Sequence, residues 1–492
     1  MRHAIFLFAA TAAFVLGDAK LSQNPLVEVD ESDATTSVVQ DWWDSLHDAQ
    51  LILSSLNDPI SEAIQSSHRD SFFTSIYDKD RVKNSPPRPR EGPGHRGPRG
   101  DPEKTIYEQI KECKYTSRFA KLVDEHDEIK ALLQDTKHNH TLFVPTNRAF
   151  ERLPHHRHGR HGHDSDDDGS GSDSDGNKDK PPKEFILALL KYHIAHGLWP
   201  LEHIRAHTTI PSSLYPPALN GKPSHDDSST PYPEYHTCHP QRIRVFTTPF
   251  IPLTRLNFHV RLSPHTADLV AKNGLVHPID SFLVPPPSQT SLIRLLPSHF
   301  STLALALETT GLGDELDDLP RTGGGTFFAP TNSAWSRLGG RANAFLFSER
   351  GKKYLKALVK YHAVVNETLY SDAFYRPGEK EEREERVNGD YWHADMPTLL
   401  CGKPISVIVK TWRGFVSIVV NGWVRVVVRD GIADDGVLQV VERVIIPPHK
   451  PPRDGHGHGE EEEGGEISEE ELVARLEPYM ELAGGRKDMG DL

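Results

Sequence analysis

The sequence predicts an α+β protein in which one domain occurs twice in tandem. Three sequence blocks support this prediction, because each is present twice and in the same order along the chain. They are an apolar strand before Pro-Thr-Asn, an apolar helix ending in Tyr-His, and Asn-Gly or Asp-Gly before an apolar run that closes on Pro-Pro. A structural unit repeated at long spacing indicates a duplicated domain.

The first block spans residues 141–150 and again 326–335. In each copy, residues suited to a buried strand precede a proline, which has no N–H to continue the ladder. The threonine and asparagine that follow have side-chain oxygens for the free N–H groups of a helix that starts at once. We therefore interpret this pair as helix caps and turn formers. The residues concerned are Thr146, Asn147, Thr331 and Asn332.

The second block predicts a helix over 185–193 and another over 354–362. Each helix is apolar and ends in a Tyr-His pair. We therefore expect the tyrosine ring to pack in the core and the imidazole to bond to backbone groups. The two pairs are Tyr192-His193 and Tyr361-His362.

The third block covers 273–286 and 435–448. Asn-Gly predicts a tight turn, and the apolar run after it ends at two prolines. In the first copy this run contains His277 and Asp280, which can hydrogen-bond inside the closing strand. The second copy has glutamine and glutamic acid at these positions, so it must form such bonds differently or lack them.

The composition indicates folded domains separated by polar segments. Of 492 residues, 36% are hydrophobic, and the chain contains 38 prolines and 36 glycines. This composition favours folded domains with open segments between them over one compact body. The net charge of −14 with neutral histidines argues against general affinity for nucleic acid. Because there are 28 histidines, the sign of the charge depends on the pH of the compartment.

The amino terminus predicts a signal peptide. A positive start precedes an apolar run over 4–16 that is too short to cross a bilayer comfortably; a short signal-anchor is the alternative. We find neither a later apolar span nor a GPI signal in the sequence. The predicted regions are 1–17 (signal peptide), 18–102 (one helix and a Pro/Gly-rich linker), 103–288 (first domain), 289–450 (second domain) and 451–492 (acidic tail with a short helix).

Biased segments interrupt the first domain. Residues 155–180 contain a His-rich run and then an Asp/Ser/Gly run, from which no core can be built, so we predict a disordered surface insertion. Its imidazoles predict weak binding of a transition metal, and a pH-responsive loop is the alternative. Residues 211–240 predict a second loose insertion.

No catalytic motif is recognisable in the sequence. A Gly-x-Ser-x-Gly elbow, a His-Glu-x-x-His pair and a P-loop are absent, so we predict neither an enzyme nor a cofactor, catalytic or specific metal site. Cys113, Cys238 and Cys401 allow at most one disulfide, and their pairing stays open. Asn139 and Asn366 begin N-glycosylation sequons, and we predict glycans at both.

Together, the three repeated blocks resemble the fasciclin domain. The resemblance covers 103–288 and 289–450 and implies a wedge of β-strands with a layer of small helices. The family serves in cell adhesion and in matrix or cell-wall association, and some fungal members are vacuolar. In animal relatives the Tyr-His pair has been linked to integrin recognition, whereas we interpret it as structural.

These observations predict a non-enzymatic glycoprotein of the secretory pathway that binds an unknown protein or glycan in an adhesion-type role. A soluble protein of the vacuole lumen is the alternative. A hydrolase with a pocket between the domains is a third hypothesis, and no sequence motif supports it. We expect no nucleic-acid partner.

Overall fold

The computed structural model describes residues 100–152, 182–220, 239–247, 253–321, 323–376, 391–412, 415–448 and 467–484. The predicted signal peptide, residues 18–99 of the predicted helix and linker, and the insertion at 155–180 lie outside these residues. The described part contains helices and strands in two successive α+β units, which confirms the predicted fold class.

The first domain contains seven helices and nine strands within the described residues. The helices are α1 (Ile106–Glu112), α2 (Ser117–Asp124), α3 (Asp127–Gln134), α4 (Asn147–Glu151), α5 (Lys183–Tyr192), α6 (Leu201–Ala206) and α7 (Pro217–Asn220). The strands are β1 (Gly100–Asp101), β2 (His140–Pro145), β3 (Ile194–His196), β4 (Thr209–Pro211), β5 (Arg242–Thr247), β6 (Thr254–Leu256), β7 (Val260–Leu262), β8 (Leu269–Ala271) and β9 (Gly274–Ile279).

The second domain and the tail together contain seven helices and nine strands within the described residues. The helices are α8 (Gln289–Leu295), α9 (Pro297–Thr310), α10 (Leu312–Asp317), α11 (Asn332–Leu338), α12 (Gly340–Leu346), α13 (Lys352–Tyr361) and α14 (Glu469–Gly484). The strands are β10 (Gly325–Pro330), β11 (Ala363–Val365), β12 (Thr368–Leu369), β13 (Phe374–Tyr375), β14 (Trp392–Pro397), β15 (Pro404–Trp412), β16 (Phe415–Val420), β17 (Val424–Ala433) and β18 (Gly436–Val441).

A parallel strand pair organises each domain. In the first, β2 lies parallel to β9 and antiparallel to β3. In the second, β10 lies parallel to β18 and antiparallel to β11. The strand with the first repeated block and the strand with the third are therefore neighbours in both copies. Strands β2, β10 and β18 are buried along their length, and β9 is buried except at Pro278, as expected for strands covered on both faces.

The glycine of the third block is required by close packing rather than by the turn alone. Gly274 has φ 155° and Gly436 has φ 140°, and both begin a strand. A Cβ atom on Gly274 would lie 1.7 Å from the carbonyl oxygen of His140, and one on Gly436 would lie 2.0 Å from that of Gly325. Only glycine allows the two parallel strands to approach in this way.

Two segments differ from the sequence prediction. The predicted loose insertion at 211–240 is ordered at its start, because it includes the end of β4 and the whole of α7; residues 221–238 lie outside the described part. The tail helix α14 is not a separate appendage, since Leu472 and Leu476 are fully buried in the core of the second domain. Ser468 caps this helix, accepting a hydrogen bond from the Glu471 N–H at 3.1 Å.

Candidate functional site

The two motif tyrosines hold equivalent strands together inside the domains. The Tyr192 hydroxyl donates to the carbonyl of Arg242 at 2.9 Å and accepts from the Asn257 amide at 2.7 Å. The Tyr361 hydroxyl accepts from the Asn421 amide at 3.0 Å. Burial raises the pKa of both hydroxyls. Both side chains are fully buried, so neither is presented to a partner.

The two motif histidines are equally buried and are fixed in one tautomer. In His193 and His362 the Nδ1 donates to the carbonyl four residues earlier, at 2.8 Å in both. The Nε2 accepts the backbone N–H of Leu283 at 3.0 Å and of Ile445 at 2.9 Å. Burial lowers the pKa of each imidazole to about 4. In each domain a neutral imidazole therefore links the end of the helix to the segment that follows β9 or β18 by hydrogen bonds.

Gln439 replaces His277 with the same hydrogen-bonding pattern. The His277 Nε2 donates to a carbonyl at 2.8 Å, and its Nδ1 accepts the Asp268 N–H at 3.1 Å. The Gln439 amide donates to a carbonyl of β12 at 2.8 Å and accepts the Asp430 N–H at 3.2 Å. An amide and a neutral imidazole each offer one donor and one acceptor here. The second domain therefore makes the same bonds with a group that does not titrate.

Asp280 and its counterpart Glu442 lie at the surface end of the closing strand. Asp280 accepts the Arg261 N–H at 2.8 Å and lies 3.4 Å from the Arg152 guanidinium. Glu442 lies 3.9 Å from the Arg337 guanidinium. These partly exposed ion pairs contribute little stability.

The capping prediction is met at one of its two threonines. Thr331 Oγ1 accepts the Ala334 N–H at 3.2 Å, whereas Thr146 makes no side-chain cap. The asparagines bind an earlier helix instead of the one they start: Asn147 accepts the Arg118 N–H at 3.1 Å and Asn332 the Thr302 N–H at 3.0 Å. The prediction of local caps was wrong for these residues, because the asparagine oxygens reach helices distant in sequence.

The two sequon asparagines differ in environment. Asn139 is exposed just before β2. Asn366 is half-buried with φ 65°, and its sequon partner Thr368 is buried and donates to the carbonyl of Gly323 at 2.7 Å.

A buried arginine of the first domain is enclosed by side chains of the second. Arg242, whose side chain is 4% exposed, donates to the Thr209 hydroxyl at 2.5 Å and to the Tyr375 hydroxyl at 3.0 Å. Its guanidinium also lies 5.6 Å from the Tyr370 ring centre and 3.9 Å from Asp372. Hydrogen bonds, a cation–π contact and an ion pair therefore meet at one side chain.

Asp372 joins the domains at an unpaired strand edge. It accepts the N–H groups of Thr208 and Thr209 at 3.1 and 2.8 Å, where β4 begins. Beside it, the hydroxyl of Ser371 donates to that of Thr208 at 2.7 Å, and its N–H donates to the buried Asp430 at 2.8 Å. The Asp372 carboxylate thus accepts hydrogen bonds from backbone N–H groups at the strand edge, which would otherwise need water or another strand as a partner.

A second arginine extends the interface. Arg244 donates through Nε to the Arg429 carbonyl at 2.9 Å, and its guanidinium lies 4.1 Å from the Phe258 ring centre. The Gln241 amide donates to the Ala433 carbonyl at 3.1 Å. Sequence reasoning missed this interface. The partners lie more than 100 positions apart, and β4 lies next to the predicted insertion.

In the first domain, Arg242 and Arg244 lie on a sheet face that packs against the second domain. The corresponding sheet face of the second domain is not covered by any other described residues. Ser406 donates its N–H to Asn421 at 3.0 Å just as Arg244 does to Asn257 at 2.9 Å, so β15 corresponds to β5 and β14 to β4. Where the first domain has Arg244, the second has Ser406. We call this surface the β14–β17 face; its outward side chains include Asp395, Pro404, Ser406, Ile408, Lys410, Phe415, Ser417, Val419, Trp423 and Arg425.

Three further findings concern the described residues alone. They contain no group of three or more His, Cys, Asp or Glu side chains arranged to hold a metal ion. None of their helices is long and apolar enough to cross a membrane. Cys113 and Cys401 are free thiols, while Cys238 and the His-rich insertion lie outside this part of the chain.

The match of one family model to two separate regions agrees with the duplicated fold. The fasciclin domain model matches residues 114–221 and 298–447. The aurofusarin biosynthesis cluster protein S of Gibberella zeae is 28% identical over 400 residues, which are 77% of this chain and 86% of that protein. A solved FAS1 domain pair from the insect cell adhesion molecule fasciclin I is 15% identical, with a TM-score of 0.29, over 67% of this chain and 96% of that one. The chain belongs to the fasciclin domain family.

Proposed function

We propose that the protein is a non-catalytic, adhesion-type binding protein of the secretory pathway, and that it binds a partner protein through the β14–β17 face. The observation that carries this proposal is that both domains have the same sheet face. In the first domain this face is covered by a protein surface, the second domain. In the second domain the corresponding face remains exposed within the part of the chain that the structure describes.

The chemistry of the face supports a protein partner. Phe415 is 55% and Trp423 38% exposed, and Ile408 and Val419 are paired across the centre of the sheet. Lys410 and Arg425 lie among them and are exposed. Aromatic side chains and arginine are enriched in protein interfaces. The partner should therefore present apolar and acidic groups.

Binding to cells of the organism that makes the protein tests this proposal. A labelled full chain should bind saturably, and protease treatment of the cells should abolish binding. Ile408→Glu with Val419→Glu should weaken binding at least tenfold, which is about 1.4 kcal/mol. Leu305→Glu is the matched control, since Leu305 is also apolar and exposed but lies on helix α9.

Each contrary result has a definite meaning. Unchanged binding by the Ile408→Glu/Val419→Glu variant would exclude the β14–β17 face. Binding that survives protease but is lost after periodate oxidation would identify a glycan and overturn the protein partner. No saturable binding would overturn the adhesion role.

The name of the Gibberella relative favours a second candidate. That protein belongs to a biosynthesis cluster, so the partner of the present chain would be a component of a biosynthetic route rather than a cell surface. Deletion of the gene should then remove a secondary metabolite without changing cell adhesion.

We further propose that the protein travels through the secretory pathway and is glycosylated at Asn139 and Asn366. The exposure of Asn139 supports the first site. Endoglycosidase treatment of the wild type and of Asn139→Gln and Asn366→Gln variants should change the mobility by one glycan per site. A fluorescent fusion distinguishes the vacuole lumen from the cell exterior.

A further inference from the structure

We propose that the first domain is an acid-labile unit, in which proton uptake by buried histidines opens the fold while the second domain stays folded. The basis is a difference in residues at equivalent positions. His140, His196 and His277 of the first domain correspond to Gly325, Val365 and Gln439 of the second. The same fold is therefore built without these imidazoles.

His140 and His196 form a pair directly opposite each other on β2 and β3. Their ring centres are 5.7 Å apart. His140 is fully buried, and neither of its ring nitrogens has a hydrogen-bond partner among the described residues. A proton on this ring would place an unsatisfied charge in the core, which is strongly unfavourable.

The charged groups around the pair do not offset this cost. Asp135 favours the protonated form of His140, whereas His138 opposes it and is itself 2.7 Å from Asp135. Burial is the largest influence and lowers the pKa of His140. For His196, burial together with His140 and His138 lowers the pKa to about 4. The ring of Tyr215, 6.2 Å away, adds no countercharge when neutral.

His277 provides an independent site of acid sensitivity on β9. Its Nδ1 accepts the Asp268 N–H at 3.1 Å, so protonation would set two N–H groups against each other. The Asp268 carboxylate favours the charged ring, but burial has the larger effect and lowers the pKa. On its other side the ring stacks on Phe143, with centres 5.6 Å apart. Gln439 makes the corresponding bonds and does not titrate.

Lowering the pH has a partly opposite effect on the second domain. His362 of the second domain corresponds to His193 of the first. Protonation of these two buried rings therefore destabilises both domains alike. However, burial raises the pKa of Asp430, so protonation of this carboxyl favours the folded second domain. When the first domain opens, β4 and β5 no longer hold the interface with the second.

Hydrogen exchange of the full chain at pH 7 and pH 5, corrected for intrinsic exchange rates, tests the proposal. Protection of β2 and β9 should fall at least tenfold more than that of β10 and β18. An equal fall in both domains, or a larger fall in the second, would overturn the proposal.

The second domain supplies the matched substitutions. His196→Val with His277→Gln should restore part of the protection of β2 and β9 at pH 5, because His140 remains. His207→Gln, at an exposed position, should leave the acid response unchanged. In the reverse direction, Gln439→His should make β10 and β18 more acid-sensitive than they are in the wild type. The Gln439→His variant decides the matter if the double variant fails to fold at pH 7, since a second domain that stays equally protected at pH 5 would contradict the proposal.

Discussion

Replacing Arg242 by alanine should separate the unfolding of the two domains. The Arg242 guanidinium bonds to Thr209 within its own domain and to Tyr375 of the second domain, and it faces the Tyr370 ring and Asp372. Hydrogen bonds to a charged group contribute about 1.5–3 kcal/mol each, and a desolvated cation–π contact contributes about 2 kcal/mol.

The net loss should be smaller than the sum of these contributions. Asp372 keeps its hydrogen bonds to the N–H groups of Thr208 and Thr209, so the substitution does not leave a buried carboxylate unpaired. We therefore expect a loss of about 3 kcal/mol in the coupling between domains, near the lower end of the range for breaking a buried pair. Each domain keeps its own core.

Urea unfolding monitored by fluorescence and by circular dichroism measures this coupling. The wild type should unfold in one coupled transition or in two close ones, and Arg242→Ala should shift the first domain to lower urea and widen the gap. Arg261→Ala is the control, because Arg261 is exposed on β7. If Arg242→Ala leaves both midpoints unchanged, the interface does not couple the domains and the reasoning is wrong.

Four further predictions concern single groups. Tyr361→Phe should destabilise the second domain by about 1–2 kcal/mol in urea unfolding, because the Asn421 amide loses its acceptor. Gly436→Ala should lower the Tm strongly, since the new Cβ would meet the backbone of β10. Leu472→Ala should cost about 2–5 kcal/mol by leaving a cavity; an unchanged midpoint would mean that α14 does not stabilise the domain. His362, with a folded pKa of about 4 against an ordinary value of 6.5, contributes stability that is present above pH 6.5 and lost as the pH falls. By pH 5 the loss should be about 2 kcal/mol, and a His362→Gln variant should show a weaker pH dependence of its urea midpoint.

The duplicated fold was predictable because its evidence is local. Each strand, proline, Thr-Asn pair and Tyr-His helix end is encoded within about ten consecutive residues, and the order of these blocks identifies the domain without knowledge of tertiary contacts. The match of Gln439 to His277 was not predictable from residue type, because it depends on each side chain offering one donor and one acceptor at the right places.

The interface was not predictable, for a physical reason. Arg242 and Asp372 look like ordinary surface charges in the sequence, and nothing local shows that they meet. A buried arginine requires partners, but the sequence does not show which arginine is buried. Likewise the two buried leucines of α14 form too short an apolar stripe to predict its docking on the second domain.

Duplication explains why the protein has two versions of the same face, of which the described residues cover only one. After the copying of a domain, both copies start with the same surface, and a contact between them can use it once. Arg242 and Arg244 specialise the first copy for this contact, whereas the corresponding second copy has Pro404 and Ser406, which cannot form the same ion pair or cation–π contacts. A contact of the kind that the first domain makes would therefore lack the two arginine guanidinium groups if it formed at the β14–β17 face. The second domain therefore cannot repeat the internal contact through this face.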